Sequence, residues 1–220
     1  MTIEHHPSEL LLLDYATGAL GEAWSIAVAT HLALCPECRQ TVAFMEEIGG
    51  SLLESVEEND SSMADFDALL ARIDHEPDRL VQSRPATESA HANLSLPQPL
   101  RGYLSCDADE VPWKRLGKGA YQCLIPTNDG RITARLLRIP AGRPVPEHSH
   151  GGLELTLVLR GAFTDETGIY GRGDFQEADE KLQHQPHAAD GEDCICLAVT
   201  DAPLRFTSLA ARLIQPVIGI

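Results

Sequence analysis

Apolar side chains recur at the three-to-four-residue spacing of amphipathic helices throughout the first 75 residues. One such pattern spans residues 10–15, a second spans residues 23–34 and a third spans residues 42–48. A fourth pattern follows an acidic connector at residues 54–62. The sequence therefore predicts about four helices. The apolar stripe of the fourth consists of Met63, Phe66, Leu69, Leu70 and Ile73.

This stripe on the fourth helix has two interpretations. Because the helix lies beyond a flexible connector, its apolar face could pack on the first three helices or against a bound partner. The pattern slightly favours packing on the first three helices.

Both the composition and the period change in the second half of the chain. Residues 76–100 are rich in Pro, Ser, Gln, Asn and Ala and poor in large apolar groups, which is typical of a linker. From Arg101 onward, apolar and polar residues alternate in short runs that Gly, Pro and Asp separate, and this predicts the strands of a sandwich or barrel. The clearest runs are residues 121–125, 134–139, 153–159 and 194–199.

These changes divide the 220-residue chain into parts. We expect a helical domain at residues 1–75, a linker at residues 76–100 and a β domain at residues 101–220. Each domain is long enough to bury a core of its own. The predicted fold class is multidomain, with an α domain followed by a β domain.

Negative charge is concentrated in the N-terminal part. Residues 1–100 carry a net charge of −13 and residues 101–220 a net charge of −3, which together give −16. The acidic part would be repelled by phosphate backbones, so we expect no direct nucleic-acid binding. It suits a basic protein partner, including one whose basic surface normally meets DNA. The alternative is a solvated surface that keeps the protein soluble.

The first residues lack the basic and apolar regions of a signal peptide, and no apolar run approaches the roughly 18 residues that a membrane span needs. We therefore expect a cytoplasmic protein that does not interact with a membrane. In that compartment the six cysteines are expected to be metal ligands or free thiols rather than a disulfide framework.

Three metal-type side chains are clustered near the N-terminus in the pattern His31-x3-Cys35-Pro36-x-Cys38. His31 and Cys35 are one helical turn apart, and Pro36 ends that helix and begins the next, which turns Cys38 back toward them. The histidine pair at residues 5–6 would supply a fourth ligand. Two thiolates and two imidazoles match the closed tetrahedral site of structural zinc. A redox dithiol and unliganded thiols are the alternatives, and the helical context disfavours the first.

A second set of metal-type side chains lies in the β domain, where His148-x-His150-x3-Glu154 is followed by His184. Histidines at i and i+2 point to one face of a strand, and Glu154 at the start of the next strand can face them. Three imidazoles and one carboxylate suit Zn, Fe, Mn, Ni or Cu, and the ligand set alone does not choose among these metals. With a glycine in register on either side, the spacing resembles the first motif of the cupin superfamily.

The second cupin motif is incomplete. Gly173 and Asp174 stand at the right distance from His184, but residues 179–181 replace the usual Pro-x-Gly, and Ala188 stands where cupins carry Asn. The resemblance still implies a metal site formed by the three histidines and Glu154. The alternative is a cupin barrel that holds no metal.

Two cysteines lie two residues apart on one predicted strand. Cys194 and Cys196 therefore share a face. They could act as redox-sensing thiols only if they were exposed and of low pKa. A buried strand that uses cysteine as a small apolar residue is at least as good an interpretation.

The two halves together resemble one family, the ChrR-type anti-sigma factors, over almost the whole chain. The resemblance rests on the N-terminal His-x3-Cys-x2-Cys signature, the acidic helical layout, the linker and the C-terminal cupin, including residues 152–159 and 193–197. It implies that the second histidine of the N-terminal pair is the fourth zinc ligand. The implied zinc ligands are His6, His31, Cys35 and Cys38.

This resemblance implies a regulatory function. Such proteins bind an extracytoplasmic-function (group IV) sigma factor, here expected as a 1:1 complex, and keep it from RNA polymerase. They release it in response to singlet oxygen or related oxidants. The expected cofactors are a structural zinc ion in the N-terminal site and zinc or another divalent metal in the cupin site, with the cupin domain as the sensor.

Two other classes of function stay open at the level of sequence. Cupins with three histidines and one glutamate include dioxygenases, so the chain could be a cupin metalloenzyme with an accessory zinc-binding helical module. It could also be a structural or metal-storage cupin. No further acid or base residues can be assigned around the cupin ligands, which favours a protein that is not an enzyme.

Overall fold

The computed structural model describes residues 2–56, 64–75, 96–104, 106, 110–116 and 119–208. Four helices within residues 1–75 agree with the sequence pattern, and a further short helix precedes the strands. The helices are α1 (Glu9–Ala16), α2 (Glu22–Leu34), α3 (Pro36–Glu54), α4 (Ala64–His75) and α5 (Gln98–Leu104).

Local sequence explains where the first helices begin and end. The Ser8 side chain accepts a hydrogen bond from the Leu11 backbone N–H and so caps α1. Cys35 lies between α2 and α3, where Pro36 cannot donate a backbone hydrogen bond to continue α2 but suits the first position of α3. The Cys35 sulfur accepts a hydrogen bond from the Cys38 backbone N–H. The sharp change of direction between α2 and α3 is therefore encoded in three residues.

The second half is an antiparallel cupin barrel, which confirms the predicted fold class. A six-stranded sheet has the order β1-β2-β3-β11-β5-β8, and two three-stranded sheets have the orders β10-β6-β7 and β12-β4-β9. The four clearest predicted runs correspond to β2, β3, β5 and β11. The strands are β1 (Lys114–Leu116), β2 (Ala120–Ile125), β3 (Thr133–Ile139), β4 (His148–Ser149), β5 (Glu154–Arg160), β6 (Ala162–Asp165), β7 (Gly168–Gly171), β8 (Phe175–Ala178), β9 (Gln183–His184), β10 (His187–Ala188), β11 (Cys194–Thr200) and β12 (Arg205–Phe206).

The helices and the barrel share one hydrophobic core. Helix α2 packs against β5 and β11. Val28 of α2 and Leu157 and Leu197 of these strands are fully buried members of the same cluster. Although each part is long enough to bury a core of its own, the inward face of α2 covers one face of the six-stranded sheet and the two parts contribute to one cluster.

A side chain of the barrel also caps the helix that packs on it. The N-cap of α2 is Gly21, which has no side chain to offer. The Asp129 carboxylate accepts hydrogen bonds from the backbone N–H groups of Glu22 and Ala23 in its place. The barrel therefore stabilises α2 at its N-terminus as well as along its length.

The last residues of the predicted linker belong to the folded structure. Residues 76–95 lie outside the described residues, but Leu96 and Leu100 are buried, and α5 packs against α2. The Tyr103 hydroxyl donates a hydrogen bond of 2.9 Å to the Glu22 carboxylate. The C-terminal end of the low-complexity segment thus joins the shared core, through two leucines that the composition of the segment does not reveal.

The apolar stripe of α4 is exposed in the structure. Phe66 is 55% exposed, Leu69 is 49% exposed and Leu70 is 44% exposed. Met63 and the Ile73 side chain lie outside the described residues. The interpretation favoured by the sequence, packing on the first three helices, is therefore wrong for the side chains that the structure describes.

Within the part of the chain that the structure describes, no helix is long and apolar enough to cross a membrane.

Candidate metal centres

The structure brings all four residues of the predicted N-terminal zinc site together. His6 comes from the segment before α1, His31 from the last turn of α2, and Cys35 and Cys38 from the α2–α3 junction. The His6 Nδ1 atom is 3.4 Å from the Cys35 sulfur and 3.3 Å from the Cys38 sulfur. The His31 Nε2 atom is 3.3 Å from the Cys38 sulfur.

These separations fit zinc. With zinc–sulfur distances of about 2.3 Å and zinc–nitrogen distances of about 2.1 Å, the edge of a tetrahedral site is roughly 3.6 Å. The observed nitrogen–sulfur distances are close to that edge. His31, Cys35 and Cys38 are buried and His6 is half-buried. The donor set is thus that of a closed structural site.

The protonation states of the ligand side chains without a metal ion show which of them a bound cation would change. Burial lowers the pKa of the His31 imidazole to about 4, so that it is neutral at physiological pH. Burial, together with a hydrogen bond to the Cys35 side chain, raises the pKa of the Cys38 thiol to about 12. A bound cation reverses the penalty on a buried thiolate, and the neutral imidazole is already in the ligating form.

The three predicted cupin histidines also converge. The His184 Nε2 atom lies 3.1 Å from the His148 Nε2 atom and 3.2 Å from the His150 Nε2 atom. Nitrogens bound to one metal at about 2.1 Å would be roughly 3.0 to 3.4 Å apart. All three residues are buried: His148 on β4 is paired in register with His184 on β9, and His150 directly follows β4. Burial lowers the pKa values of His148 and His150 to about 4, which keeps both imidazoles neutral.

Hydrogen bonds from the Nδ1 atoms orient two of these imidazole rings. The Pro146 carbonyl accepts from His148 Nδ1 at 2.8 Å, and the Asp165 carboxylate accepts from His184 Nδ1 at 2.7 Å. Burial raises the pKa of Asp165, but hydrogen bonds from Thr167, Gln176 and His184 outweigh it and lower this pKa overall. A carboxylate behind a ligating imidazole is a common support in metal sites. Sequence reasoning missed Asp165, because 19 residues separate it from His184 and their strands, β6 and β9, belong to different sheets.

Glu154 borders the histidine cluster without joining it. Its carboxylate lies 3.7 Å from His150 Nδ1 and accepts a hydrogen bond from the Thr156 hydroxyl at 3.1 Å. The set of mutually close metal-type atoms contains the three histidines but not this carboxylate. Burial raises the pKa of Glu154 to about 7, so a metal ion would have to offset the cost of ionising it.

A cavity of about 1480 Å³ lies beside the histidines. His148, Glu154 and His184 line it together with other polar side chains such as Arg135 and Gln176, and most of the exposed wall area is apolar. A small molecule in this cavity would contact the histidine cluster directly. This access distinguishes the barrel site from the N-terminal one.

Cys194 and Cys196 also line the cavity. Their sulfur atoms are 3.5 Å apart, and both residues are buried on β11. The hydrogen bond between them, together with burial, raises the pKa of Cys196 well above its usual value. This environment is the opposite of the exposed, low-pKa setting that a thiol sensor requires.

The N-terminal zinc-type site and the cupin barrel define a two-part protein with two candidate metal sites, and comparisons with known proteins identify its family. A family model described as the ChrR Cupin-like domain matches residues 102–203. The anti-sigma-E factor ChrR of Cereibacter sphaeroides is 47% identical over 216 residues, which are 98% of each chain. The chain therefore belongs to the ChrR family of anti-sigma factors.

A solved structure extends the comparison to the fold. The crystal structure of Rhodobacter sphaeroides SigE in complex with the anti-sigma ChrR matches with a TM-score of 0.75 and 44% identity, covering 91% of this chain and 100% of that one. Membership of an anti-sigma family confirms the resemblance inferred from the sequence. It also confirms the prediction of a regulatory protein over the metalloenzyme alternative.

Proposed function

We propose that this protein binds and inhibits a group IV sigma factor in a 1:1 complex, through an apolar surface on α3 and α4. The observation that carries the proposal is the exposure of large apolar side chains on the outward faces of these helices. A helix of a monomer normally buries such a face. We call these residues the helical apolar surface: Phe44, Ile48, Leu52 and Leu53 of α3, and Phe66, Leu69 and Leu70 of α4.

The charge around this surface supports a basic partner. Glu46, Glu47 and Glu54 are exposed on α3, and Asp67 is exposed on α4. Exposed apolar side chains interspersed with acidic ones fit a protein whose complementary surface carries apolar and basic residues, and the acidic charges would accelerate the encounter. The relative of known structure was crystallised with its sigma factor SigE.

Two metal sites would complete the functional protein. His6, His31, Cys35 and Cys38 would hold zinc, which would fix the segment before α1 to the α2–α3 junction. His148, His150, Glu154 and His184 would hold zinc or another divalent metal in the barrel. When bound, that metal supplies a Lewis-acidic centre that a small molecule in the cavity can reach.

We assign the sensing of singlet oxygen or related oxidants to the cupin barrel, and inhibition to the helices. The support is the position of the cavity, which reaches the histidine cluster. We place the protein in the cytoplasm, where a sigma factor meets RNA polymerase. The helices would then carry the surface that binds the sigma factor, and the barrel would carry the site that responds to the oxidant.

A charge placed in the helical apolar surface tests the proposal. Leu53 is 73% exposed, so Leu53→Asp would leave the fold intact and weaken binding of the sigma factor by at least about ten-fold, because a carboxylate would be desolvated in the interface. Ile169→Asp is the matched control, since Ile169 is 68% exposed on the barrel. Titration of each full-length variant against the group IV sigma factor gives the two affinities. Equal affinities for Leu53→Asp and the wild type would contradict the proposed surface.

A further inference from the structure

His31 is hydrogen-bonded across the boundary between the helices and the barrel. Its Nδ1 atom is 2.9 Å from the carbonyl oxygen of Gly173, in the loop between β7 and β8. A carbonyl only accepts, so Nδ1 carries the proton and donates, which leaves the lone pair on Nε2. Nε2 faces the Cys38 sulfur at 3.3 Å. The barrel therefore selects the tautomer of His31 that a metal requires.

The same loop holds the segment that carries His6. The Asp174 carboxylate accepts hydrogen bonds from the backbone N–H of Glu4 at 2.7 Å and of His5 at 3.0 Å. The Phe175 backbone N–H donates to the His5 carbonyl at 3.0 Å. Asp174 is buried, and its second oxygen accepts from the Gly171 N–H at 2.7 Å. Two of the four N-terminal ligands thus take their positions from residues 171–175.

A continuous set of contacts connects this loop region with the cupin histidines. The His5 ring lies 4.3 Å from the Tyr170 ring. The Tyr170 hydroxyl is 2.9 Å from that of Thr167, which donates to Asp165 at 2.6 Å. The other oxygen of Asp165 accepts from His184. The two metal-type clusters are therefore joined by packed rings and hydrogen bonds within the described residues.

We propose that the β7–β8 loop is a positioning element for the N-terminal zinc site, so that zinc affinity depends on the docking of the barrel onto the helices. The proposal rests on the proposed occupancy of that site by zinc. If the docked form binds zinc more tightly, zinc binding must favour docking by the same factor. A change in the barrel that releases the loop would then loosen zinc, and loss of zinc would loosen the barrel.

Asp174→Ala in the full-length protein tests this coupling. The substitution removes three hydrogen bonds from the loop and leaves all four N-terminal ligands in place. Loss of a group that supports a metal ligand typically costs 10–100-fold in metal affinity, and we expect a decrease in that range. Asp201→Ala is the control, because Asp201 also accepts a backbone hydrogen bond, from Leu153 at 2.9 Å, but that bond joins two parts of the barrel and does not reach the N-terminal segment.

Cobalt substitution makes the measurement specific. Co²⁺ bound by two thiolates has a strong charge-transfer absorption that Co²⁺ bound by imidazole and carboxylate lacks. Displacement of Co²⁺ by Zn²⁺ therefore reports on the N-terminal site alone. Absence of this absorption in the wild type would refute the proposed zinc site itself. Wild-type absorption with unchanged affinity in Asp174→Ala, or an equal decrease in Asp201→Ala, would refute only the coupling.

A second pair of variants covers the case in which Asp174→Ala does not fold. Gly173 has a φ of +96°, and a Cβ there would lie 2.6 Å from the Ile3 side chain. Gly119 has a φ of +105° with open space around it. Gly173→Ala should weaken zinc binding more than Gly119→Ala, and equal effects would overturn the proposal.

Hydrogen exchange measures the reciprocal effect without relying on metal affinity. Adding Zn²⁺ to the metal-free wild type should slow exchange at the backbone amides of Glu4, His5 and Phe175, whose hydrogen bonds hold the loop against the N-terminal segment. Asp174→Ala should abolish most of this protection. Protection that zinc does not change would contradict the coupling.

Discussion

The N-terminal cluster takes its side chains from a terminal segment and a helix junction, whereas the cupin cluster takes them from strands that border a large cavity. The first offers two thiols and two imidazoles in a closed arrangement. The second offers three imidazoles beside a carboxylate, with a cavity of about 1480 Å³ next to them. The difference indicates that the first site suits structure and the second suits contact with small molecules.

The largest effect is expected from loss of an N-terminal thiol. Structural zinc contributes apparent free energy on the order of 10 kcal/mol in small domains, so Cys35→Ser should lose zinc, disorder the α2–α3 junction and abolish sigma-factor binding. Zinc content, helical circular dichroism and sigma-factor titration measure the three consequences. Cys123→Ala is the control, because this buried cysteine lies on β2 outside both clusters. A Cys35→Ser protein that binds no zinc there yet inhibits fully would contradict the structural role.

Substitution of Asp165, which accepts a hydrogen bond from the His184 ring, should lower metal affinity mainly at the barrel site. Asp165→Asn weakens the support of the His184 ring and should lower metal affinity of the barrel by about 10–100-fold, with the N-terminal zinc retained. Metal analysis of the purified variant, with the cobalt–thiolate absorption as a separate measure of the N-terminal site, distinguishes the two. Asp193→Asn is the control, since Asp193 pairs with Arg138 elsewhere in the barrel. Loss of both metals in Asp165→Asn would show that the Asp165 hydrogen bonds support the N-terminal site as strongly as they support His184.

The metal-free barrel should carry a pH dependence from Glu154. Its pKa is raised by burial from 4.5 to about 7, so the folded state keeps a proton that the unfolded state loses, and stability falls as pH rises between these values. Glu154→Gln cannot ionise. Relative to the wild type, it should gain as much as about 3 kcal/mol between pH 5 and pH 8.

Denaturant unfolding of metal-free proteins at both pH values measures this gain. Glu180→Gln is the control, because Glu180 is exposed. A difference between Glu154→Gln and the wild type that does not change with pH would mean that Glu154 is ionised in the folded protein even without metal.

The smallest expected effect concerns the cysteine pair of the barrel. Because Cys194 and Cys196 are buried and the pKa of Cys196 is raised, both should be alkylated by iodoacetamide about ten-fold more slowly than the half-buried Cys106. Mass spectrometry of the native protein gives the rates. Fast alkylation of the pair would assign the sensing role to the thiols, as would a loss of response in Cys194→Ser or Cys196→Ser with the metal still bound.

The sequence was sufficient wherever structure follows from local spacing. The ligand patterns around His31 and His148 depend on helix and strand periods, and the structure brings each predicted histidine and cysteine into its cluster. The four clearest predicted runs also fall on strands, although β11 (Cys194–Thr200) is buried at six consecutive positions and not at alternate ones. Glu154 is the partial exception, because its distance from the histidines depends on the side-chain conformation and not on its place in the strand.

Contacts between distant segments could not be predicted in the same way. The hydrogen bond from His31 to Gly173 joins residues 142 apart, and no spacing rule connects them. The shared core arose from α2 packing on the six-stranded sheet, which a sequence divided at its linker conceals. The exposure of Phe66 is a second example, because the sequence pattern of an apolar stripe is the same whether the stripe packs within the chain or binds a partner.

The most direct test of the proposed division of labour is sigma-dependent transcription in vitro, before and after exposure to singlet oxygen. Wild-type protein, His148→Ala and Cys35→Ser would be compared at equal concentration. We predict that His148→Ala inhibits transcription as the wild type does but no longer releases the sigma factor after exposure, and that Cys35→Ser does not inhibit at all. Normal release by a His148→Ala protein that lacks the barrel metal would contradict the assignment of sensing to the cupin site.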